Sequence, residues 1–502
     1  MMRSSRQSPL ASRRTSGRAP MRRPGGVAST GVRGGAVSGS HPLCRVGENA
    51  QLHAYERTVK DAFDGIVPIL KEISALQHEA DFVAQAHRIA RSKLGFELPD
   101  SILEAAWVEQ LDMRRLFAWC VFQTYKRFCD DFFANDPLAS TEADGFDAFL
   151  QACGFHTLDI SPCADGRLAH VVRYVLRLPH RSVRRKSYAG ALFDIENSIE
   201  KWVETEMLRY REGRPNLADA PTRYLKAVVY HYSSVDPEHE GCAAHGSDTQ
   251  KAAQAGLDRL NGFREAVENS FCCGASIDLL LIGLDTDTDA IRVHLPDGEG
   301  DLSLQRHVDA LDLYHDTRGL SAGDATSAVT AALHRAAPES AAGMQQLVAR
   351  LIENNISQIV YVKSAHGEHY PDIGHAERFI GAGVGFEEIQ LRNLMYFAYL
   401  NTVEEATPDT DVGIKIFKGL NVSRGLPVPI VVRFDYHSKV PGARDRAVER
   451  CARVAEALKT RYAELAEKGL LHILQLVRDC TADAAVEVLA CTVNAGGESG
   501  AH

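Results

Sequence analysis

The sequence predicts an α/β protein in which a helical N-terminal domain precedes two α/β lobes. Three observations carry this. Leu52, Tyr55, Val59, Phe63, Ile66, Ile69, Ile73 and Leu76 recur every three or four residues, the apolar stripe of amphipathic helices. Between residues 227 and 284 the pattern becomes strand, helix, strand. The same plan returns between residues 431 and 477.

Residues 1–45 hold nine arginines, no lysine and no acidic residue, among mostly Ser, Gly, Ala and Pro. That composition buries no core and predicts disorder. Three readings fit it: an Arg- and Ser-rich transit peptide, a solvated tail, or a basic arm that docks on an acidic partner. A helical domain is expected over residues 46–140, with a second stripe at Phe117, Ala118, Val121, Tyr125 and Phe128. It shows no chemistry, and His53, His78 and His87 read as ordinary surface or core residues.

The next domain is expected over residues 141–387. The short apolar run Leu158-Asp159-Ile160 stops at Pro162, so Cys163 should end a strand. Ala227, Val228, Val229 and Tyr230 form a β-branched and aromatic run, so His231 should end a second strand. Ala252, Ala255, Leu257, Leu260, Phe263 and Val267 share one face of a helix over residues 248–271. The apolar run from Ile277 to Leu284 suits a strand buried in a parallel sheet. Ligating residues at strand ends place a site along the sheet's carboxyl edge. The last domain, residues 388–502, repeats the plan. Val431 to Ser438 parallels the His231 segment, a helix is expected from about 444 to 467, and Leu470 to Val477 is the following strand.

Composition narrows the classes. The chain has 502 residues, more than one core holds, so several domains are required. No apolar run approaches the roughly 20 residues of a membrane span, so a soluble protein with no membrane contact is expected. Eleven cysteines, an odd number scattered along the chain, favour reduced thiols over a disulfide framework. The net charge of −10 becomes about −19 once the nine arginines of residues 1–45 are set aside, which excludes a nucleic-acid binder.

The chemistry lies in two motifs, Ser161-Pro162-Cys163-Ala164-Asp165-Gly166-Arg167 and the stretch from Tyr230-His231 through Gly241-Cys242 to His245. Two cysteines and a histidine give three metal ligands with a fourth position open, the pattern of a catalytic zinc. Asp165 adds a carboxylate beside the metal, and Arg167 a cation that holds it.

Cys-x-Asp-x-Arg followed by His and Cys resembles the β-type carbonic anhydrases. The ten residues between His231 and Cys242, where most β-type enzymes have two, resemble the ε branch, the carboxysome shell carbonic anhydrases. The resemblance runs from about residue 46 to the C-terminus. It implies two β-carbonic-anhydrase-like lobes, the second without a metal: the place of His231 falls on Asp435, and the position eleven residues on is Arg446. It implies Zn²⁺ on Cys163, His231 and Cys242 in a catalytic domain over 141–387, with Asp165 and Arg167 as catalytic residues and hydration of carbon dioxide as the reaction. It further implies an assembly built on homodimers inside a bacterial carboxysome, with the shell as a partner and the N-terminal arm bound to Rubisco. A second class of function, a zinc-stabilised scaffold that docks through its arm, would call for four protein ligands and has no use for Asp165 and Arg167.

Spacing leaves two further histidines as ligand or proton-shuttle candidates: His239, three residues before Cys242, and His245, three after it. His231 is preferred as the ligand for its place at a strand end. Asp285-Thr-Asp287-Thr-Asp289 starts like a calcium loop but has Ala290 at the sixth position and Pro296 at the twelfth, so that reading fails. Gly381-Ala-Gly383-Val-Gly385 reads as the opening of a helix, with Phe386 where a dinucleotide motif needs its third glycine. Arg181, Arg184, Arg185 and Lys186 read as a solvated or salt-bridged basic face.

Overall fold

A computed structural model describes residues 41–138, 145–179, 182–217, 219–271, 276–400, 406–482 and 484–494. The arm therefore lies outside the described residues up to position 40, as does Arg181. Positions 41–45, read as the end of the arm, are anchored instead. His41 stacks on Tyr314 with ring centroids 5.1 Å apart, and Arg45 donates to Asn354 Oδ1 at 2.6 Å.

The N-terminal layer is helical: α1 Val46–Asp64, α2 Ile66–Ser74, α3 Phe82–Lys93, α4 Asp100–Ala105 and α5 Met113–Asn135. The predicted stripe faces inward, with Leu52, Val59, Phe63, Ile66 and Ile73 buried. Pro68 is tolerated because it falls in the first turn of α2, where its missing N–H has no partner to lose. Asp112 caps α5 by accepting from the N–H groups of Arg114 and Arg115.

Two sheets follow. The first has the order β2-β1-β3-β4-β5-β6, with β1 Thr157–Pro162, β2 Arg184–Arg185, β3 Arg223–Tyr232, β4 Ser276–Asp285, β5 Ile291–Pro296 and β6 Leu302–Asp309. The first four strands run parallel, and β5 and β6 are antiparallel. The second has the order β11-β10-β9-β7-β8, with β7 Phe379–Val384, β8 Met395–Tyr399, β9 Val428–Tyr436, β10 Leu471–Asp479 and β11 Glu487–Cys491. Read from its other edge, the second sheet has the order and directions of the first: β8, β7, β9 and β10 are parallel, and β11 is antiparallel to β10. The last register pairs also match, Tyr232 with Asp285 and Tyr436 with Asp479. The pseudo-repeat is thus visible in topology, and it sets His231 against Asp435. Helix Thr249–Phe271 joins β3 to β4 as helix Ala443–Arg461 joins β9 to β10.

Two expectations change. β7 pairs with β8 and β9, so the second sheet begins before position 388. The glycine motif is strand β7 and its exit, not the start of a helix. Gly383 and Gly385 have φ of 133° and 126°, and a Cβ on either would meet the Arg433 carbonyl or the Asp435 carboxylate. Only glycine allows that approach. The weak β-propensity of glycine hid the strand. Among the described residues no helix is long and apolar enough to cross a membrane.

Candidate metal centre

Parallel pairing of β1 with β3, Pro162 opposite Val229, delivers the two strand ends to one edge. The Cys163 N–H continues the ladder by donating to the Val229 carbonyl at 3.1 Å. Cys163, His231 and Cys242 converge there, all buried, with their ligand atoms within 4.8 Å of one another. The two sulfurs are 4.0 Å apart. Tetrahedral zinc with sulfur at about 2.3 Å would separate them by about 3.8 Å. The His231 ring is fully buried, and neither of its nitrogens has a hydrogen-bond partner among the described residues. A buried imidazole left that way is costly, and a metal bond to one nitrogen relieves most of the cost. Contact with Cys163 lowers the Cys242 thiol below its ordinary value, while that contact and burial raise Cys163. One sulfur is thereby biased toward thiolate, the form a metal takes.

Asp165 and Arg167 form a forked pair. Arg167 Nε donates to Asp165 Oδ1 at 3.1 Å and Nη2 to Oδ2 at 2.8 Å. The Arg167 N–H also donates to Asp165 Oδ1 at 2.9 Å, closing a short turn. Burial alone would raise Asp165, but Arg167, then His375 and His231, hold its carboxyl well below the usual range. Asp165 Oδ2 lies 3.6 Å from His231 Nε2, so an ionised acceptor stands beside the ligand cluster.

The sequence matches the descriptions Carboxysome Shell Carbonic Anhydrase, N-terminal, over residues 41–133, catalytic domain over 145–375, and C-terminal over 376–493. It is 58% identical over 456 residues to the carboxysome shell carbonic anhydrase of Prochlorococcus marinus (strain MIT 9313), covering 89% of each chain. It is 57% identical over 458 residues to that of Parasynechococcus marenigrum (strain WH8102), covering 90% of this chain and 79% of the relative. The protein of Halothiobacillus neapolitanus (strain ATCC 23641 / c2) is 45% identical over 446 residues, 86% of each chain. The chain belongs to the carboxysome shell carbonic anhydrase family. It is a carbonic anhydrase.

The second lobe closes over this centre. The Phe397 N–H donates to the Ala164 carbonyl at 3.2 Å, and the Asn393 N–H to the Gly166 carbonyl at 2.8 Å. Glu377 packs so closely on Gly166 that a Cβ there would lie 2.4 Å from its Cγ. His375, from the segment joining the lobes, sets Nε2 3.8 Å from Asp165 Oδ2 and Nδ1 2.8 Å from Glu377 Oε1. Burial lowers the His375 pKa, but Asp165 and Glu377 outweigh it and raise it to about 9.

The other sequence candidates stand apart. His239 is exposed and paired with Asp236 at 2.9 Å. His245 Nε2 meets the Gly190 carbonyl at 3.1 Å. His375, Glu377 and Glu240 are the site groups that sequence reasoning missed. Glu240 meets Arg167 through its carbonyl at 2.6 Å and its carboxylate at 3.2 Å. The one available signal was His375-x-Glu377, weak without a known partner. In the basic cluster Arg184 donates to the Lys201 carbonyl and Lys186 bonds Asn197, while Arg185 lies over the Phe397 ring with Nε and Nη1 buried and without a hydrogen-bond partner among the described residues.

Proposed function

We propose that this carbonic anhydrase interconverts carbon dioxide and bicarbonate at a zinc ion held by Cys163, His231 and Cys242. The observation that carries the reading is the buried imidazole whose nitrogens have no hydrogen-bond partner among the described residues, clustered with two thiols and beside an ionised carboxylate. Zinc bound there would supply an activated water for attack on carbon dioxide. Three ligands leave its fourth position for that water.

The remaining work belongs to the chain. Asp165 accepts a hydrogen bond at Oδ2 and so aims the attacking water. Arg167 keeps Asp165 ionised and fixes its plane through two parallel hydrogen bonds. Burial of the dyad makes these charges act at short range and low screening. His375 is partly exposed and faces Asp165 as a cation, so it can give the proton that dehydration of bicarbonate consumes and regain one from solvent. This role replaces the one considered for His239 and His245.

The enzyme's place is the carboxysome, in association with the shell and as an assembly built on homodimers, supplying carbon dioxide to Rubisco. The supports are the family and the polycationic arm. Nine arginines in 45 acid-free residues favour forked pairing with carboxylates on a partner. Deleting residues 1–40 should leave hydration intact and abolish Rubisco binding, and binding by the full chain should weaken with salt over tens of millimolar. Binding by the truncated chain would remove the arm as the tether. Stopped-flow hydration assays before and after chelation test the catalytic reading. Chelated protein should be inactive and regain activity with zinc alone; activity that survives removal of all metal would refute the reading.

A further inference from the structure

The stretch Asp285-Thr-Asp287-Thr-Asp289 is the turn after β4, and it grips the excursion between His231 and Cys242. Asp285 accepts from the Ser234 N–H at 3.1 Å and the Ser234 hydroxyl at 2.8 Å. Asp287 Oδ2 accepts from the Ser233 hydroxyl at 2.6 Å, the Val235 N–H at 2.8 Å and, more loosely, the Ser234 hydroxyl at 3.4 Å. Asp287 is 7% exposed, and its described hydrogen-bond partners here are two hydroxyls and an N–H rather than a cation. A buried carboxylate held by neutral donors alone is expensive, so these bonds have to be kept intact.

From Asp287 a continuous chain of bonds reaches the catalytic dyad. Ser233 Oγ accepts from the Asp236 N–H at 2.8 Å, and the Asp236 carbonyl accepts from the Glu240 N–H at 2.9 Å. The Glu240 and Gly241 carbonyls then accept from Arg167 at 2.6 and 3.3 Å, one residue before Cys242. Asp287 thus stands at the root of a loop that ends on both a metal ligand and the partner of Asp165.

The second lobe supplies an internal control. There the Ser438 N–H donates to Asp479 Oδ1 at 3.2 Å and the Thr481 N–H to the same oxygen at 2.8 Å. These repeat the bonds that Ser234 and Asp287 give Asp285. The grip by Asp285 is therefore common to both lobes. The grip by Asp287 is not: its counterpart is Thr481, and the chain there passes from Tyr436 into helix Ala443–Arg461 without a comparable excursion.

We propose that Asp287 is a positioning residue of the catalytic lobe, one that fixes the widened His231–Cys242 loop and through it sets Cys242 and Arg167. The proposal rests on the zinc reading above for its metal readout, but not for its structural one. Zinc-loaded, full-length Asp287→Ala, Asp287→Asn and Asp479→Ala proteins would be compared with wild type. Asp287→Ala should release zinc to a chromogenic chelator about tenfold faster or more, the scale expected for loss of an outer partner of a metal ligand. Its kcat should fall by a similar factor with KM within about threefold, because Asp165 is misaimed rather than substrate excluded. Hydrogen exchange should rise over residues 233–241 and stay unchanged in β3 and β4. Asp287→Asn, which keeps an acceptor, should lie between, and Asp479→Ala should behave as wild type. Wild-type zinc release and exchange in Asp287→Ala would overturn the proposal, as would exchange rising across the whole lobe, the mark of simple destabilisation. If wild type itself lacked hydration activity, the functional reading would fail while the exchange result still judged the loop.

Discussion

The two lobes share a strand order and a register, yet they spend the same edge differently. In the first, the ends of β1 and β3 carry Cys163 and His231, and the imidazole has no hydrogen-bond partner among the described residues. In the second, the register puts Val384 at the place of Cys163 and Asp435 at that of His231, and Asp435 is bound by Arg433. That guanidinium donates to Asp435 at 2.6 and 2.7 Å, to Glu388 at 2.8 and 3.0 Å and to the Tyr125 hydroxyl at 3.1 Å. Arg478 pairs with Glu388 as well. A candidate metal-ligand set marks the edge of the first lobe; a closed network of charges marks that of the second. The second lobe instead braces the loop Ala164 to Gly166 and reaches α5 through Tyr125. The difference teaches that a fold copied within one chain can keep its architecture while one edge turns from chemistry to support.

The sharpest break of this comparison is removal of a ligand. Cys163→Ala, His231→Ala and Cys242→Ala should each lose metal and essentially all turnover, whereas His239→Ala and His245→Ala should keep both. Metal analysis and hydration assays on the same samples decide it. Next, Asp165→Asn should retain metal and lose about 10²- to 10⁴-fold in kcat, since the amide neither carries the charge nor orients the water as the carboxylate does. Near-normal turnover would take Asp165 out of the mechanism.

The second lobe should respond in the opposite way. Arg433→Met leaves Glu388 and Asp435 buried beside fewer cations, and should cost about 3–5 kcal/mol of stability in denaturant titration, the scale for breaking a buried pair. Metal content per folded chain should not change. Asp435→Ala should likewise leave metal and turnover nearly unchanged.

The smallest effect concerns pH. His375 is raised from an ordinary 6.5 to about 9 in the folded protein by Asp165 and Glu377, against the opposing effect of burial. A group raised in this way adds stability that is fully present below 6.5 and is lost as pH rises through about 9. The stability difference between wild type and His375→Gln should therefore shrink across that window, as read from urea midpoints at stepped pH. A difference that grows with pH would show that His375 is not held as the cation.

Much of the catalytic lobe was legible because its signals are local. Cys163 follows the short run that stops at Pro162, His231 follows a β-branched and aromatic run, and Asp165 and Arg167 sit two and four residues past Cys163. His375 and Glu377 were not legible, because they arrive on the connector between lobes, where no periodicity marks a role. β7 was missed because its glycines, required by the close approach of Arg433 and Asp435, remove the usual strand signature. The three-aspartate turn lacks the spacing of a calcium loop, and its contacts are with a loop some fifty residues earlier in the chain, a relation that spacing does not encode.

The most direct test of the account is the number of zinc ions per chain. Elemental analysis of purified full-length protein, paired with native mass spectrometry, should give one zinc in wild type, one in Asp435→Ala and none in His231→Ala. Two zinc ions per wild-type chain, or one retained in His231→Ala, would contradict a single metal centre in the first lobe.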